Sequence, residues 1–487
     1  MNRAIRRVGY ALTALILVLV GQLTYLQVVH ADHLANDPRN VRTFLRDFNR
    51  PRGQILTADG QVVAQSVKTS GEIQYQRVYP QRELFAQVGG YQSFLVGNTG
   101  VESHYNSVLT GRDRRFQLDN LGAFISGTEN TGTVVLAQSM TAQQTARDAL
   151  GGQHGSVVAL DVRTGAVLAM YSNPSFDPNP LAGHDTTAVN LAFFLLNSDR
   201  ANPALARTYR ERFAPGSTFK VVTTAGAIEN GIAPPDRVYP QSESFPLPQT
   251  DSAIGNFGGK SCGGGTLTQS FLQSCNVTFA RLGAEMGSKF APVMSRCGVG
   301  SVSAPIAPPI DLDPPASGSI GPAPDAPDAR FALAGIGQGD VFVTPLEMAL
   351  VAAGIANGGV IMEPHVAQDI TNADGKVIRH IDKKAWKTCM TKTTADALTA
   401  MMVENVRNGT GTRAQIANVT VAGKTGTAQT GIGASPHAWF IAFAPAENPR
   451  FAVSVLVENG GSMGNDATGG ELAAPIARQM LEALLAR

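Results

Sequence analysis

The sequence lacks a charge imbalance. Its 39 lysines and arginines stand against 38 aspartates and glutamates, a formal net charge of +1 over 487 residues. That balance leaves no nucleic-acid footprint, so any steering of a charged substrate must be local. Cysteine is scarce. Cys262, Cys275, Cys297 and Cys389 form no C-x-x-C pair, so no zinc site is expected. The eight histidines show no H-E-x-x-H or similar spacing. No metal and no cofactor are expected. Internal repeats are missing, and only one stretch is long and apolar enough to cross a membrane.

That stretch is at the N-terminus. Arg3, Arg6 and Arg7 precede "VGYALTALILVLVGQLTYLQVV", 22 residues from Val8 to Val29 without a charge. At about 1.5 Å per residue such a helix crosses the roughly 30 Å hydrocarbon core. The arginines place its start in the cytoplasm. The expectation is a cytoplasmic tail over 1–7, a transmembrane signal anchor over 8–29, and everything after it outside, where disulfides are permitted. A cleaved signal peptide is the alternative, with Val29-His30-Ala31 as the cleavage site, but the run exceeds the usual apolar core of about 7–15 residues. Four cysteines allow three full pairings.

Length suggests two or three domains, and 43% apolar residues suffice for a large core. Residues 30–150 mix short strand-like runs with turns. Gln54–Thr57 and Gln61–Ala64 read as a hairpin around Asp59-Gly60. "TAQQTARDALGG" reads as a helix capped by Thr141 and stopped by Gly151. A second domain, 151–487, opens with paired strands at Ser156–Asp161 and Ala166–Tyr171. It ends with strands at Phe440–Phe443 and Phe451–Glu458 and a helix over Leu472–Leu485. Helices grouped against an antiparallel sheet predict an α+β (α/β two-layer) build. The proline-rich residues 301–328 hold neither helix nor central strand and read as a flexible surface insertion.

The chemistry is carried by three short patterns. In "RERFAPGSTFKVV", Pro215-Gly216 forces a turn, so Ser217 opens a helix whose outward N–H groups and dipole favour a developing oxyanion. Lys220 lies one turn on, on the same face. In a dry cleft it loses its charge and can take the proton of Ser217. Alone, S-x-x-K is more often a cap and a solvated lysine. Ser274-Cys275-Asn276 supplies S-x-N, however, and Lys424-Thr425-Gly426, followed by Thr427, supplies K-T-G on a strand. The trio, in this order, is the signature of penicillin-binding proteins and class A β-lactamases.

On these motifs the chain resembles the class B penicillin-binding proteins. So do "RGQILTADGQVVA" at 52–64, "GNTGVESHYNSVLTG" at 97–111, "GIGQGDVFVTPLEMA" and "HAWFIAFAP". Its short N-terminal region and overall length are most similar to actinobacterial members. The resemblance implies a penicillin-binding transpeptidase (serine β-lactamase-like) fold, with a central antiparallel sheet flanked by helices over 151–487. It also implies a small, mainly-β pedestal for interaction or dimerisation over 30–150. Ser217 would be the acylated nucleophile and Lys220 its base. Ser274 would relay protons to the leaving amine, and Asn276 would bind the substrate amide and orient Lys220. Lys424 and Thr425 would hold the substrate carboxylate, Gly426 would admit a close backbone, and the N–H groups of Ser217 and Thr427 would form the oxyanion hole. Implied partners are peptidoglycan stem peptides and lipid-linked precursor strands, β-lactam antibiotics, a membrane glycan polymerase and division proteins, with no nucleic acid.

Cys275 sits in the middle of the S-x-N, where the family more usually has a small or polar residue. A disulfide from Cys262 to Cys275 is expected, and is expected to draw Ser274 and Asn276 away from Lys220. A free buried thiol at Cys275 is the alternative. Glu102 reads as a pedestal salt-bridge partner, and His437 and Trp439 as cleft wall or core. A β-lactamase-like hydrolase is the first alternative function. It is usually a single secreted domain and needs a deacylating base, and no E-x-x-x-N motif to supply one is expected between the S-x-N and the K-T-G. A catalytically quiet division scaffold is the second.

Overall fold

The computed structural model describes residues 2–30, 48–113, 131–431 and 433–486. Helix α1 (Asn2–Thr24) runs into a π-helical turn, Tyr25–Val29. The 27 residues Arg3–Val29 are long and apolar enough to span a membrane, and their most apolar window has no buried residue. The hydroxyls of Thr13 and Thr24 donate to the carbonyls of Gly9 and Val20 at 2.9 and 2.8 Å, so they need no water. Ala31 and Asp32, around a signal-peptide cut, lie outside the described residues.

Two sheets organise the rest. Their strands are β1 (Ile55–Leu56), β2 (Val62–Lys68), β3 (Tyr75–Val78), β4 (Thr133–Leu136), β5 (Gly155–Asp161), β6 (Val167–Asn173), β7 (Ala367–Thr371), β8 (Val377–His380), β9 (Ala422–Ala428), β10 (His437–Ala444) and β11 (Phe451–Val457). The helices that matter are α2 (Met140–Leu150), α3 (Lys220–Glu229), α4 (Leu267–Leu272), α5 (Asn276–Met286), α6 (Pro345–Ala356), α7 (Lys392–Asn408) and α8 (Ala474–Leu485).

The first sheet runs β8-β7-β4-β1-β2-β3. The β1–β2 hairpin pairs Ile55 with Ala64. Its first strand is shorter than the pattern suggests, because Thr57 turns: its Oγ1 bonds Asp59 Oδ1 at 2.5 Å and its N–H reaches Gln61 O at 2.9 Å. A buried ion cluster ties this sheet, through Arg77 of β3, to Arg52 and Glu102. Glu102, fully buried, accepts from Arg52 Nε at 2.6 Å and Arg77 Nε at 2.5 Å. Burial pushes its carboxyl up, but the two guanidiniums outweigh that and hold it below the usual range.

The second sheet is antiparallel, ordered β9-β10-β11-β5-β6. Every residue of β11 is buried, so helices cover both faces. α6 packs on β5, β10 and β11, while α2 and α8 pack on each other and on the same sheet. The result is an α+β unit with β9 on an open edge.

The boundary expected at residue 151 is blurred in the folded chain. α2 precedes it yet packs on β6 and α8. Its buried Gln143 donates to Met170 O at 2.7 Å and accepts from Met170 N at 3.0 Å, which satisfies the backbone of edge strand β6. Conversely, β7 and β8 return from late in the chain to complete the N-terminal sheet, β7 pairing with β4. The α2 cap is Ser139, not Thr141: Ser139 Oγ accepts from Ala142 N at 3.2 Å.

The proline-rich stretch is not a flexible insertion. Ile310, Leu312 and Ala316 are buried. Asp311 accepts from Tyr105 OH at 2.6 Å and from the N–H groups of Val366 and Ala367 at 2.6 and 3.1 Å. The Asp313 carbonyl accepts from Gly100 N. Proline prevents regular structure here without preventing docking, because side-chain carboxylates and carbonyls do the anchoring.

Candidate active site

The cleft forms where the first turn of α3, the α4–α5 junction and the edge strand β9 meet. Gly216–Phe219 form a 3₁₀ turn that leads directly into α3. In 3₁₀ geometry residues i and i+3 eclipse, which stacks Ser217 and Lys220 on one face. Three bonds hold the turn: Gly216 N to Gly337 O at 2.9 Å, Thr218 Oγ1 to Pro215 O at 2.7 Å, and Trp439 Nε1 to Ala214 O at 3.0 Å. Gly216 has φ +53°, and a Cβ there would come within 2.8 Å of Thr427 O. Glycine therefore lets the serine turn press against β9. Gly426 does the same from the strand, since a Cβ would meet Thr218 Cγ2 at 2.8 Å and Pro215 O at 2.9 Å. Ser217 is half-buried.

Lys220 is wholly buried. Its Nζ donates to Ser274 O at 2.7 Å, Asn276 Oδ1 at 2.8 Å and Ser274 Oγ at 3.3 Å. Ser274 faces the same amine with both its carbonyl and its hydroxyl, and its φ is +56°, an unusual left-handed conformation for a non-glycine residue. Lys424 Nζ, from β9, reaches the same Ser274 Oγ at 3.0 Å and Thr425 O at 3.1 Å. One hydroxyl thus bridges two amines. Among the described residues, no carboxylate appears as a hydrogen-bond partner of either lysine. Burial, and then the neighbouring Lys424 charge, push Lys220 well below the usual lysine range. Burial brings Lys424 down to about 7. Each amine nitrogen also lies over an aromatic ring, Lys220 5.3 Å from Phe279 and Lys424 5.5 Å from Phe271.

Asn276 is oriented from both ends. Its Oδ1 accepts from Lys220 Nζ at 2.8 Å, and its Nδ2 donates to Gly255 O at 3.1 Å. Thr425 Oγ1 lies 2.5 Å from Thr410 Oγ1. Thr427 continues β9 opposite Ala438. The structure thus brings the S-x-x-K turn, Ser274, Asn276 and the Lys424–Thr427 run to one cleft.

Cys262 and Cys275 are bonded, their Cα atoms 5.8 Å apart, and Cys297 is bonded to Cys389. The expected displacement of Ser274 and Asn276 does not occur. Cys275 points into the protein as the residue before α5, so bridge and lysine contacts coexist. Trp439 is core. His437 packs edge-on against the Phe213 ring, 5.3 Å between centroids, its Nδ1 accepting from Asn459 N at 3.1 Å, and burial lowers it to about 4. It is neutral at physiological pH.

The stretch between the S-x-N and K-T-G does contain one E-x-x-x-N, from Glu404 to Asn408. Its two side chains bond to each other on α7, and among the described residues Glu404 has no hydrogen bond to a cleft residue. Gly337, Phe271, Phe279, Asn405 and Thr410 were not nominated from sequence. A left-handed glycine in "GIGQG" and aromatics flanking the S-x-N were the available signals.

Residues 155–482 match the penicillin binding protein transpeptidase domain, and residues 52–135 match the penicillin binding protein A dimerisation domain. The chain is 41% identical to the peptidoglycan D,D-transpeptidase PbpA of Mycolicibacterium smegmatis, covering 100% of this chain and 99% of that one. It is 39% identical to PbpA of Mycobacterium tuberculosis strain H37Rv, with the same coverage. The structure is similar to the ceftriaxone acyl-enzyme complex of M. tuberculosis penicillin-binding protein A, with TM-score 0.83 and 37% identity over 91% of this chain and all of that one. The penicillin G acyl-enzyme of the same protein superimposes with TM-score 0.81 and 38% identity, covering 90% of this chain and 100% of that one.

Proposed function

The chain belongs to the penicillin-binding protein transpeptidases, and from that premise we propose how its residues divide the work of a serine-type peptidoglycan D,D-transpeptidase. The observation that carries the reading is the Ser274 hydroxyl shared by two buried lysines, Lys220 and Lys424. Lys220, driven toward the neutral amine by burial, takes the proton of Ser217. Ser217 Oγ attacks the penultimate D-alanine carbonyl of a stem peptide. The N–H groups of Ser217 and Thr427 receive the oxyanion. As the C–N bond breaks, the proton passes from Lys220 through Ser274 Oγ to the leaving D-alanine amine. An amine from a neighbouring stem then attacks the ester, returns its proton by the same route and frees Ser217. Lys424 and the Thr425 hydroxyl bind the terminal carboxylate.

β-Lactams acylate the same serine in this reading. Arg3–Val29 is the membrane anchor, with the catalytic unit on the extracytoplasmic side. The N-terminal unit faces partner proteins, a membrane glycan polymerase among them. Fluorescent penicillin tests the serine. The full chain in detergent labels covalently, and Ser217→Ala does not label while keeping its melting temperature within the few degrees that a lost helix-start residue costs. Labelling of the alanine variant would overturn the assignment.

A further inference from the structure

We propose that Asn405 and Thr410 are positioning residues that fix the Thr425 hydroxyl as a hydrogen-bond donor into the cleft. The inference rests on the reading of Thr425 as a carboxylate-binding residue.

Asn405 lies in the last turn of α7 and is wholly buried. Its backbone carbonyl accepts from Gly409 N at 3.0 Å and Gly411 N at 3.1 Å, which folds the chain back over it. A Cβ at Gly409 would meet Asn405 Nδ2 at 2.7 Å, so this turn is wrapped tightly on the amide. Nδ2 has two acceptors, Leu272 O at 3.3 Å and Thr410 Oγ1 at 3.2 Å. A carbonyl only accepts, so the nitrogen end of the amide must face Leu272. The reversed amide would set oxygen against oxygen. Both protons of the NH₂ are then placed, and one of them is given to Thr410.

Thr410 Oγ1 therefore accepts from Asn405, and its remaining contact among the described residues is Thr425 Oγ1 at 2.5 Å. A hydroxyl has one proton to give. If Thr410 gives it to Thr425, Thr425 receives a bond and its own proton is left for a ligand. The opposite polarity would aim the Thr425 proton back at Thr410 and leave lone pairs facing the cleft, which repel a carboxylate. The same amide, through Leu272 two residues before Ser274, ties the S-x-N segment to the K-T-G strand.

Benzylpenicillin and its methyl ester separate the possibilities, because the ester lacks the carboxylate. With the full chain in detergent, Thr410→Val should slow acylation by benzylpenicillin about tenfold, through weaker initial binding and not a slower chemical step, as expected for one hydrogen bond to a charged group. Acylation by the methyl ester should not change, and Thr410→Ser should behave like the unaltered protein. Thr425→Val should show the same loss, and the double variant no more than Thr425→Val alone. If Thr425→Val slows benzylpenicillin but Thr410→Val does not, the relay is wrong and the carboxylate reading stands. If neither slows it, the carboxylate reading itself falls. Equal slowing with penicillin and ester in Thr410→Val would mean a merely structural residue and would also overturn the proposal.

Discussion

Glu102 and Lys424 are equally hidden from water, yet burial acts on them with opposite results. Glu102 sits between two guanidiniums and stays ionised, held below its usual range by Arg77 and Arg52. Lys424 and its neighbour Lys220 meet hydroxyl, amide and carbonyl oxygens, and both are driven toward the neutral amine. Desolvation is the common cost. Where counter-charges offset it, the cluster is a fastening. Where they are withheld, the unpaid cost appears as a shifted proton affinity, which is what acyl transfer uses.

The comparison breaks most visibly at Lys220. Lys220→Arg puts a permanent cation where the amine is driven toward neutrality and cannot accept a proton, so the rate of penicillin acylation should fall by about 10³-fold, within the range of general acid–base effects. Lys424→Arg should cost only about tenfold, since a positive charge still meets the carboxylate. Equal losses in stopped-flow acylation would erase the division between the two lysines. At the other cluster, Glu102→Gln leaves two buried guanidiniums facing an uncharged amide. Urea unfolding should show a loss of about 3–5 kcal/mol, the range for breaking a buried pair, while acylation at a permissive temperature stays unchanged.

Two smaller effects depend on pH. Lys424, at about 7 in the folded protein, titrates near 10.4 unfolded. Between those values the unfolded chain holds more protons, so this residue's contribution to stability rises with pH from about 7 to 10. Lys424→Met should be more stable than the unaltered protein near pH 6, and the gap should narrow by pH 9 in denaturation curves. For the same reason, acylation at limiting β-lactam should decline on the alkaline side as Lys424 loses its charge. Lys424→Arg should push that decline up by about two pH units or more, because arginine stays protonated.

Legibility from sequence follows the reach of each interaction. Ser217 with Lys220 and Ser274 with Asn276 are spaced within one turn or a tight junction, so their grouping is written locally. The β5–β6 hairpin is local too. The partner of β4 is not: β7 lies more than two hundred residues on and carries no pairing signal of its own. The docking of the proline-rich stretch depends on Asp311 finding the backbone of Val366 and Ala367, which no periodicity encodes. Asn405 reads as an ordinary helix residue until Leu272 and Thr410 are seen on either side of it. Ser139 and Thr141 are both competent caps. Which one serves is decided by where the chain leaves β4, and composition does not reveal that.

The returning strands also set a timetable for biosynthesis. β4 is made early, but its antiparallel neighbour β7 follows roughly 230 residues later, which at about 5–20 residues per second is some ten to fifty seconds of translation. Throughout that interval the nascent chain carries an open sheet edge at Thr133–Leu136, ready to pair with any extended segment, its own or another ribosome's. A chain interrupted before Ala367 keeps that edge for good. The backbone of those four residues is covered on that side only when most of the protein has been made.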